Sequence, residues 1–238
     1  MTISIVIPAY NEEKRIGKTL DIIFSYISKN KDIIEILVIL NNCRDDTIGV
    51  VRKYTLLDNR FKYIDCGILE NKKVSNTKGY AIRVGLKESI GDYVLFMDAD
   101  SSTDVSELNK FSPFLTNGYD CVIGSRYLPD SKINIKQSNF RIFASRIGNF
   151  LIQLLVLPNI KDTQCGFKIF SREVINKVYN DLKIDGFSFD IEILYLIKKY
   201  GFKTKEIGIY WGNMDRSTVK LKHFWFTLND LISIYLRK

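Results

Sequence analysis

The sequence lacks several features on which common classes of protein depend. It has only 4 prolines among 238 residues, which excludes collagen-like and proline-rich scaffolds. Its longest apolar run, residues 150–158, is broken by Gln153 and falls short of the roughly 18–20 residues that span a bilayer. No basic segment leads into an apolar one at the start, so no secretory signal is expected. The cysteines stand singly, without a C-x-x-C pair, at Cys43, Cys66, Cys121 and Cys165. This spacing indicates neither a zinc site nor a disulfide framework, and it favours a reducing compartment.

The chain is basic but has no dense basic segment. Lys plus Arg number 35 and Asp plus Glu number 27, which gives a net charge of +8. That charge suits a nucleic acid, an anionic membrane surface or a phosphate-rich substrate. Because the basic residues are dispersed and no zinc-finger or RRM-type motif occurs, no nucleic acid is expected as a partner. Hydrophobic residues make up 46% of the chain, enough to exclude a disordered protein.

Short apolar runs alternate with helical patterns in the first half of the chain. Strands are predicted at residues 3–7, 33–40 and 93–97, with weaker candidates at 61–64 and 119–123. Helices are predicted at residues 12–28, 45–57, 76–89 and 105–115. This order predicts an α/β fold of Rossmann-like type, in which helices flank a mostly parallel sheet.

The second half of the chain is richer in helical patterns. Helices are predicted at residues 140–157, 174–182, 189–200 and 223–236, and an added strand at 204–211. We expect one domain over residues 1–222 and, at 223–238, a C-terminal amphipathic helix as a helical extension. Its apolar face and that of residues 140–157 suit a membrane interface; the alternative is a buried core or a dimer contact. The first interpretation predicts a cytoplasmic protein, peripheral on the cytosolic face of a membrane, whose oligomeric state the sequence leaves open.

Two aspartates follow the predicted strand at 93–97. Asp98 and Asp100 are two residues apart, so in an extended segment their side chains point the same way. Two carboxylates aimed at one point repel each other unless a cation lies between them. Mg²⁺ and Mn²⁺ prefer such oxygens together with those of a diphosphate. The alternative is that one aspartate caps a helix that begins near Asp104.

Four segments carry a resemblance to a known family. The stretches SIVIPAYNEE, FMDAD, IGSR and DTQCGFK resemble family 2 glycosyltransferases of the GT-A fold, and more narrowly the dolichyl-phosphate (polyprenyl-phosphate) sugar synthases. The segments at residues 78–83, 162–168 and 187–192 are most similar to dolichyl-phosphate β-glucosyltransferases. The resemblance runs from residue 3 to about residue 222. It implies the GT-A fold and a nucleotide-sugar donor.

The resemblance also implies a donor pocket at the strand ends. Its nucleotide-sugar-binding residues would be Pro8, Tyr10, Glu12, Asn41, Asn42, Lys78, Gly79, Arg83, Asp98, Ala99 and Asp100. Asp98 and Asp100 would bind Mg²⁺ or Mn²⁺, with Ser102 as a weaker contact. Relatives carry a carboxylate in the turn after the second strand, whereas this chain has two asparagines, whose amides can still meet a base edge. Asp45 matches a later aspartate of that turn; the alternative is a helix N-cap.

The resemblance further implies an acceptor-phosphate site. Its residues would be Ser125, Arg126, Arg141, Ser145, Arg146, Gln164, Arg216, Ser217 and Lys220. An anionic acceptor and an anionic donor repel each other unless arginines and a metal neutralise them. Arg126 is therefore placed with Asp98 and Asp100 as catalytic, and Asp190 is a further candidate. The alternative for Arg141 and Arg146 is a solvated helix end.

Together these features predict an inverting, metal-dependent transfer of glucose from UDP-glucose to dolichyl or polyprenyl phosphate. The acceptor phosphate is already ionised near neutral pH, so no strong general base is needed. Cys165 has no histidine with which to act as a nucleophile, and His223, the one histidine, lies beyond the signature region. The alternatives are another donor (GDP-mannose or UDP-GlcNAc), a glycan acceptor, or a non-catalytic membrane-associated scaffold.

Overall fold

A seven-stranded sheet forms the centre of the computed structural model. The structure describes the backbone of residues 1–68, 77–134, 139–212 and 222–237, and their side chains except those of 139–145, 147 and 222–228. The strands are β1 (Ile3–Ala9), β2 (Ile33–Leu40), β3 (Phe61–Asp65), β4 (Tyr93–Met97), β5 (Cys121–Ser125), β6 (Lys132–Ile133), β7 (Phe167–Ser171), β8 (Thr204–Gly208) and β9 (Tyr210–Trp211).

The strand order in the main sheet is β3-β2-β1-β4-β7-β5-β8, while β6 and β9 form a separate pair. Strand β7 runs antiparallel to both its neighbours, β4 and β5. The other pairings in the main sheet are parallel. The α/β prediction with a mostly parallel sheet is therefore confirmed.

Helices cover both faces of this sheet. They are α1 (Ile16–Ile27), α2 (Thr47–Leu57), α3 (Lys78–Glu88), α4 (Leu108–Thr116), α5 (Asn139–Leu155), α6 (Arg172–Val178), α7 (Phe189–Lys199) and α8 (Lys222–Tyr235). One core holds Ile3, Ile5 and Ile7 of β1 with α1, α2 and α4. The other holds Val6 of β1 with α3, α5, α6, α7 and α8. Successive β1 side chains thus enter opposite layers, as the two-residue period of a strand requires.

Two parts of the sheet depart clearly from the prediction. Residues 204–211 form two short strands, β8 and β9, rather than one. Strand β7 was not predicted, because its second residue is a lysine, Lys168, which interrupts the apolar residues on either side. Lys168 is nevertheless wholly buried, since a carboxylate from another element meets it in the core.

The strand ends bring three sharp turns to one edge of the sheet. Asn11, Asn42 and Ser101 have positive φ angles of 54°, 58° and 57°, and they follow β1, β2 and β4. This conformation is uncommon outside glycine, although asparagine tolerates it. Each turn redirects the chain within a few residues of its strand. The loops that carry the predicted donor residues therefore meet at this edge.

Helices α5 and α8 each have buried residues on one side and exposed apolar residues at or beside the helix. Ile152 of α5 and Ile234 of α8 are buried, whereas Phe150 and Leu154 of α5 and Leu236, just after α8, are exposed. Within the ranges that the structure describes, no helix is long and apolar enough to cross a membrane. The four cysteines all lie in these ranges and are unpaired.

Candidate active site

Asp98 and Asp100 lie at the centre of the loop edge. The backbone N–H of Asp98 donates to the carbonyl of Gly166, at 3.1 Å, and Asp100 Oδ1 accepts from the Ser102 N–H, at 3.0 Å. A Cβ atom at Gly166 would lie 1.9 Å from Asp98 Oδ2. Only glycine therefore lets the loop before β7 close against this carboxylate. Asp104 caps the turn at 105–107 instead, so neither aspartate serves as that cap.

Lys78, the first residue of α3, is the direct ionic partner of Asp98. Its Nζ donates to Asp98 Oδ1 at 2.6 Å and lies 5.1 Å from the centre of the Phe96 ring. Burial acts to lower the pKa of Lys78, but the carboxylates of Asp98 and Asp190 outweigh it and raise this pKa above its usual value. Lys78 is therefore a fixed cation at the predicted donor site.

A second lysine and carboxylate lie beneath this pair. Lys168 of β7 donates to the Asp190 carboxylate on α7 and to the carbonyl of Cys165. Burial raises the pKa of Asp190, and the two cations Lys168 and Lys78 oppose that shift. Such a pair is costly unless both members are satisfied, as they are here. It fixes α7 and the loop before β7 under the Asp98 carboxylate.

Glu12 lies close to the two aspartates but is already paired. Its carboxylate accepts from Arg15 Nε at 2.7 Å, and its backbone N–H donates to the Thr47 hydroxyl at 2.8 Å. Burial raises the pKa of Glu12; Arg15 opposes the shift, while Asp100 and Asp98 add to it. Glu12 therefore anchors the β1 and β2 loops to each other beside the site.

Among the described residues, no group of three or more acidic, histidine or cysteine side chains could enclose a metal ion. Within the described part of the chain, the predicted metal ligands at this point are the Asp98 and Asp100 carboxylates. That donor set fits Mg²⁺ or Mn²⁺, which are commonly held by one or two carboxylates, with substrate phosphates and water supplying the other oxygens. The residues present therefore fit a divalent metal that binds together with a diphosphate.

The two asparagines after β2 are buried and hydrogen-bonded. Asn41 Nδ2 donates to the Thr77 hydroxyl at 2.7 Å, and Asn42 Nδ2 donates to Asn41 Oδ1 at 3.0 Å. Both tie the end of β2 to the residue before α3. Asp46, not Asp45, caps α2. Asp45 instead accepts from Thr47 and from the backbone of Glu13.

The remaining predicted donor residues surround this centre. Pro8 belongs to β1 and is partly exposed, and Tyr10 beyond it is 45% exposed. The Ala99 carbonyl accepts from the Thr19 hydroxyl at 2.7 Å. Arg83 forms an ion pair with Asp185 at 2.7 Å. Gly79 lies against the same segment, where a Cβ atom would come within 2.6 Å of the Ile184 carbonyl oxygen.

Arg126, just beyond β5, is held by Asp162. Its Nε and Nη2 donate to the two carboxylate oxygens at 2.7 and 2.9 Å, and its backbone N–H donates at 2.9 Å. Burial acts to lower the pKa of Arg126, but Asp162 outweighs this effect and raises that pKa above its usual value. Conversely, burial acts to raise the pKa of Asp162, and Arg126 holds it below its usual value. The guanidinium also lies 5.6 Å from the Trp211 ring centre.

The other predicted acceptor residues are less closely grouped. Ser125 is buried beside Arg126, whereas Gln164 and Arg146 are exposed. For Arg141 and Ser145, only the backbone within α5 is described. Arg216, Ser217 and Lys220 lie outside the described residues.

Three residues of the DTQCGFK segment were missed as site residues. Asp162 orients Arg126, Lys168 binds Asp190, and the buried Thr163 hydroxyl has no hydrogen-bond partner among the described residues. The signal for Lys168 was a charged residue among apolar ones, whereas Asp162 stands among polar residues and gave no such signal. The partners of Asp162 and Lys168 lie 36 and 22 residues away, so local spacing alone does not reveal them.

Comparisons with known proteins agree with this geometry. The sequence profile described as Glycosyl transferase family 2 matches residues 4–179. The chain is 31% identical to human dolichyl-phosphate beta-glucosyltransferase, over 99% of this chain and 75% of the relative. It is 32% identical to the Dictyostelium discoideum protein of the same name, over 99% of this chain and 74% of the relative.

Solved structures share the fold at lower sequence identity. Mannosyl-3-phosphoglycerate synthase from Rubrobacter xylanophilus has a TM-score of 0.74 at 19% identity, covering 100% of this chain and 74% of that one. Glucosyl-3-phosphoglycerate synthase from Mycobacterium tuberculosis, crystallised with Mn²⁺, UDP-glucose and phosphoglyceric acid, has a TM-score of 0.72 at 21% identity, covering 99% and 79%. The profile covers more than half of the chain, and the curated relatives align with nearly all of it. The chain belongs to glycosyl transferase family 2.

Proposed function

We propose that this chain transfers glucose from UDP-glucose to dolichyl phosphate, with inversion at the anomeric carbon. One observation carries the proposal: the 162–166 loop contacts both halves of the site. Asp162 holds Arg126, and Gly166 lies against Asp98. A single loop thus joins a cation beyond β5 to the carboxylates beyond β4. The curated relatives named above support the choice of donor sugar and acceptor.

The donor half would bind the diphosphate of the nucleotide sugar. Asp98 and Asp100 would hold Mg²⁺ or Mn²⁺, which, when bound, neutralises the charge of the leaving diphosphate. Lys78 adds a fixed positive charge beside them. Asn41 and Asn42 hold the start of α3 next to the pocket. The chain therefore supplies both negative groups for a cation and a cation for the phosphates.

The acceptor half would bind the lipid phosphate. Asp162 engages Nε and Nη2 of Arg126 and so fixes the plane of the guanidinium. The buried Thr163 hydroxyl lies next to Asp162 and has no hydrogen-bond partner among the described residues. A phosphate monoester is mostly dianionic at pH 7, because its second pKa is about 6. It can therefore attack without a general base, and positioning beside Arg126 is the main requirement.

A lipid acceptor also requires contact with a membrane. The exposed fractions of Phe150, Leu154 and Leu236 are 62%, 67% and 75%. Apolar faces of this kind, on a chain with a net charge of +8, suit peripheral binding to an anionic surface. We place the chain on the cytosolic face of the membrane. Flotation with vesicles of anionic phospholipid tests this attachment.

A transfer assay tests the activity. Purified protein, Mg²⁺ or Mn²⁺ and dolichyl phosphate in detergent are incubated with labelled UDP-glucose, UDP-GlcNAc or GDP-mannose in parallel. We expect label to enter the lipid phase from UDP-glucose, with loss of at least about 100-fold in Asp100→Ala. Asp104→Ala is the matched control, since this aspartate caps the following turn and should transfer normally.

Each other outcome contradicts part of the proposal. Transfer from GDP-mannose or UDP-GlcNAc alone would mean that the donor is that nucleotide sugar and not UDP-glucose. UDP binding without any transfer to dolichyl phosphate would point to another acceptor. Absence of both transfer and nucleotide binding would favour a non-catalytic scaffold.

A further inference from the structure

The buried carboxylate of Glu192 on α7 links two distant parts of the chain. Its side chain is 0% exposed. Oε2 accepts from the backbone N–H groups of Lys183 and Ile184, at 3.0 and 2.8 Å. Oε1 accepts from the guanidinium of Arg237, which follows α8. A buried carboxylate is stable only when it is paired and hydrogen-bonded, so Arg237 fixes Glu192 in the orientation that holds residues 183 and 184.

The segment held in this way, residues 182–186, lies on the first turns of α3. The Tyr80 N–H donates to the carbonyl of Asp185 at 3.1 Å. Arg83 pairs with the Asp185 carboxylate at 2.7 Å and donates to the Leu182 carbonyl at 3.2 Å. Because Gly79 leaves no space against Ile184, a shift of this segment moves the start of α3 with it.

The start of α3 carries Lys78, whose Nζ lies 2.6 Å from Asp98 Oδ1. A continuous set of contacts therefore leads from Arg237 through Glu192 and residues 182–186 to the donor site. Arg237 is itself held on α7: its carbonyl accepts from the Tyr195 hydroxyl and from Lys199 Nζ, both at 3.0 Å. The placement of α8 on α7 is thus connected to the placement of Lys78.

We propose that Arg237 and Glu192 are positioning residues for the donor site, which act by holding residues 182–186 on α3 and so fixing Lys78 beside Asp98. Neither residue touches the donor. The seating of α8 on α7 then sets the affinity for the nucleotide. The inference depends on the proposed function only for the identity of the donor.

The test compares Arg237→Met with Lys199→Met. The first removes the ion pair with Glu192 but keeps an unbranched side chain. The second removes a contact with the same Arg237, at its carbonyl, and leaves Glu192 paired. In Arg237→Met we expect the Kd for UDP with Mn²⁺ and the KM for the sugar donor to rise about tenfold. We expect kcat to stay within about twofold, and Lys199→Met to match the unmodified protein.

Amide hydrogen exchange gives a measurement that needs no ligand. The Tyr80 amide, bonded to Asp185, should exchange about tenfold faster in Arg237→Met than in the unmodified protein or in Lys199→Met. Failure of the proposed function would leave this result intact. Arg237→Lys keeps the positive charge but has fewer hydrogen-bond donors. Its Tyr80 exchange rate should therefore lie between those of the unmodified protein and Arg237→Met, and the variant should remain folded.

Two results would overturn the inference. One is an unchanged Tyr80 exchange rate in Arg237→Met and Arg237→Lys. The other is faster exchange, or a lower melting temperature, without any change in UDP affinity, which would make the ion pair structural only.

Discussion

Replacing Lys78 by methionine should change metal and donor affinity in opposite directions. Lys78 neutralises Asp98, at a distance of 2.6 Å. A metal ion that binds alone must displace this ammonium or tolerate its repulsion. A nucleotide sugar, by contrast, brings a diphosphate that the same ammonium can bind. Lys78→Met should therefore bind Mn²⁺ alone more tightly and the donor more weakly.

The magnitude follows from the exposure of the pair. The Lys78 and Asp98 side chains are 25% and 36% exposed, so solvent screens the ion pair to about 0.2–1 kcal/mol. The contact with the Phe96 ring, at 5.1 Å, adds about 0.5–1 kcal/mol. Loss of a total near 1 kcal/mol gives about fivefold tighter binding of Mn²⁺. Loss of a charged hydrogen bond to the diphosphate costs about 1.5–3 kcal/mol, or roughly 10- to 100-fold in donor KM.

Mn²⁺ titration followed by electron paramagnetic resonance measures the first effect, and donor KM measures the second. Lys78→Arg keeps the charge and should stay close to the unmodified protein in both. Lys87→Met, at the exposed far end of α3, controls for the loss of a surface charge. If Lys78→Met binds Mn²⁺ alone no more tightly, Lys78 is not the counter-ion that the metal displaces.

Three further predictions concern the 162–166 loop and its neighbours. Gly166→Ala should lower kcat/KM about 100-fold. Its Cβ would lie 1.9 Å from Asp98 Oδ2, and displacement of a catalytic group by about an ångström costs that much. Normal turnover of this variant would refute the close contact. Asp100→Asn should abolish measurable Mn²⁺ binding in the presence of UDP, by calorimetry; unchanged binding would exclude this carboxylate as a ligand. Asp162→Asn should cost about 3 kcal/mol of unfolding free energy at pH 7, because the partly buried Arg126 is left without its carboxylate partner. Since the pKa of Asp162 lies below its usual value, its stabilisation is complete above about pH 5 and is lost as pH falls through that lowered pKa. Urea unfolding from pH 7 to 3 should show a flatter acid limb in Asp162→Asn, and parallel curves would contradict the pairing.

The features that could be predicted from the sequence are those with a local period. Strands β2 and β4 were predicted at their observed bounds, since each is a nearly continuous apolar run. Asp98 and Asp100 stood out because they directly follow β4. The turn after β2 was equally visible. Its side chains, however, bond across to Thr77, 35 or 36 residues away, and no local pattern predicts that partner.

The features that escaped prediction depend on contacts between distant segments. A lysine in the sequence usually indicates a surface position, yet Lys168 is buried because it forms an ion pair with Asp190 of α7. Arg126 was predicted as an acceptor ligand without its carboxylate, because Asp162 lies on another loop. Strand preference depends on what packs against each face. A charged residue therefore conceals a central strand until its partner is known.

The reversed direction of β7 explains why these contacts meet. In a sheet, ligands lie beyond the carboxyl ends of parallel strands, and β7 lies between β4 and β5 but runs against both. Its amino end is therefore at the same edge as the carboxyl ends of its neighbours. If β7 were parallel to them, the 162–166 loop would enter at the opposite edge and reach neither Asp98 nor Arg126. The reversal gives one short loop access to both, so the spacing between Asp98 and Arg126 is set by the sheet itself.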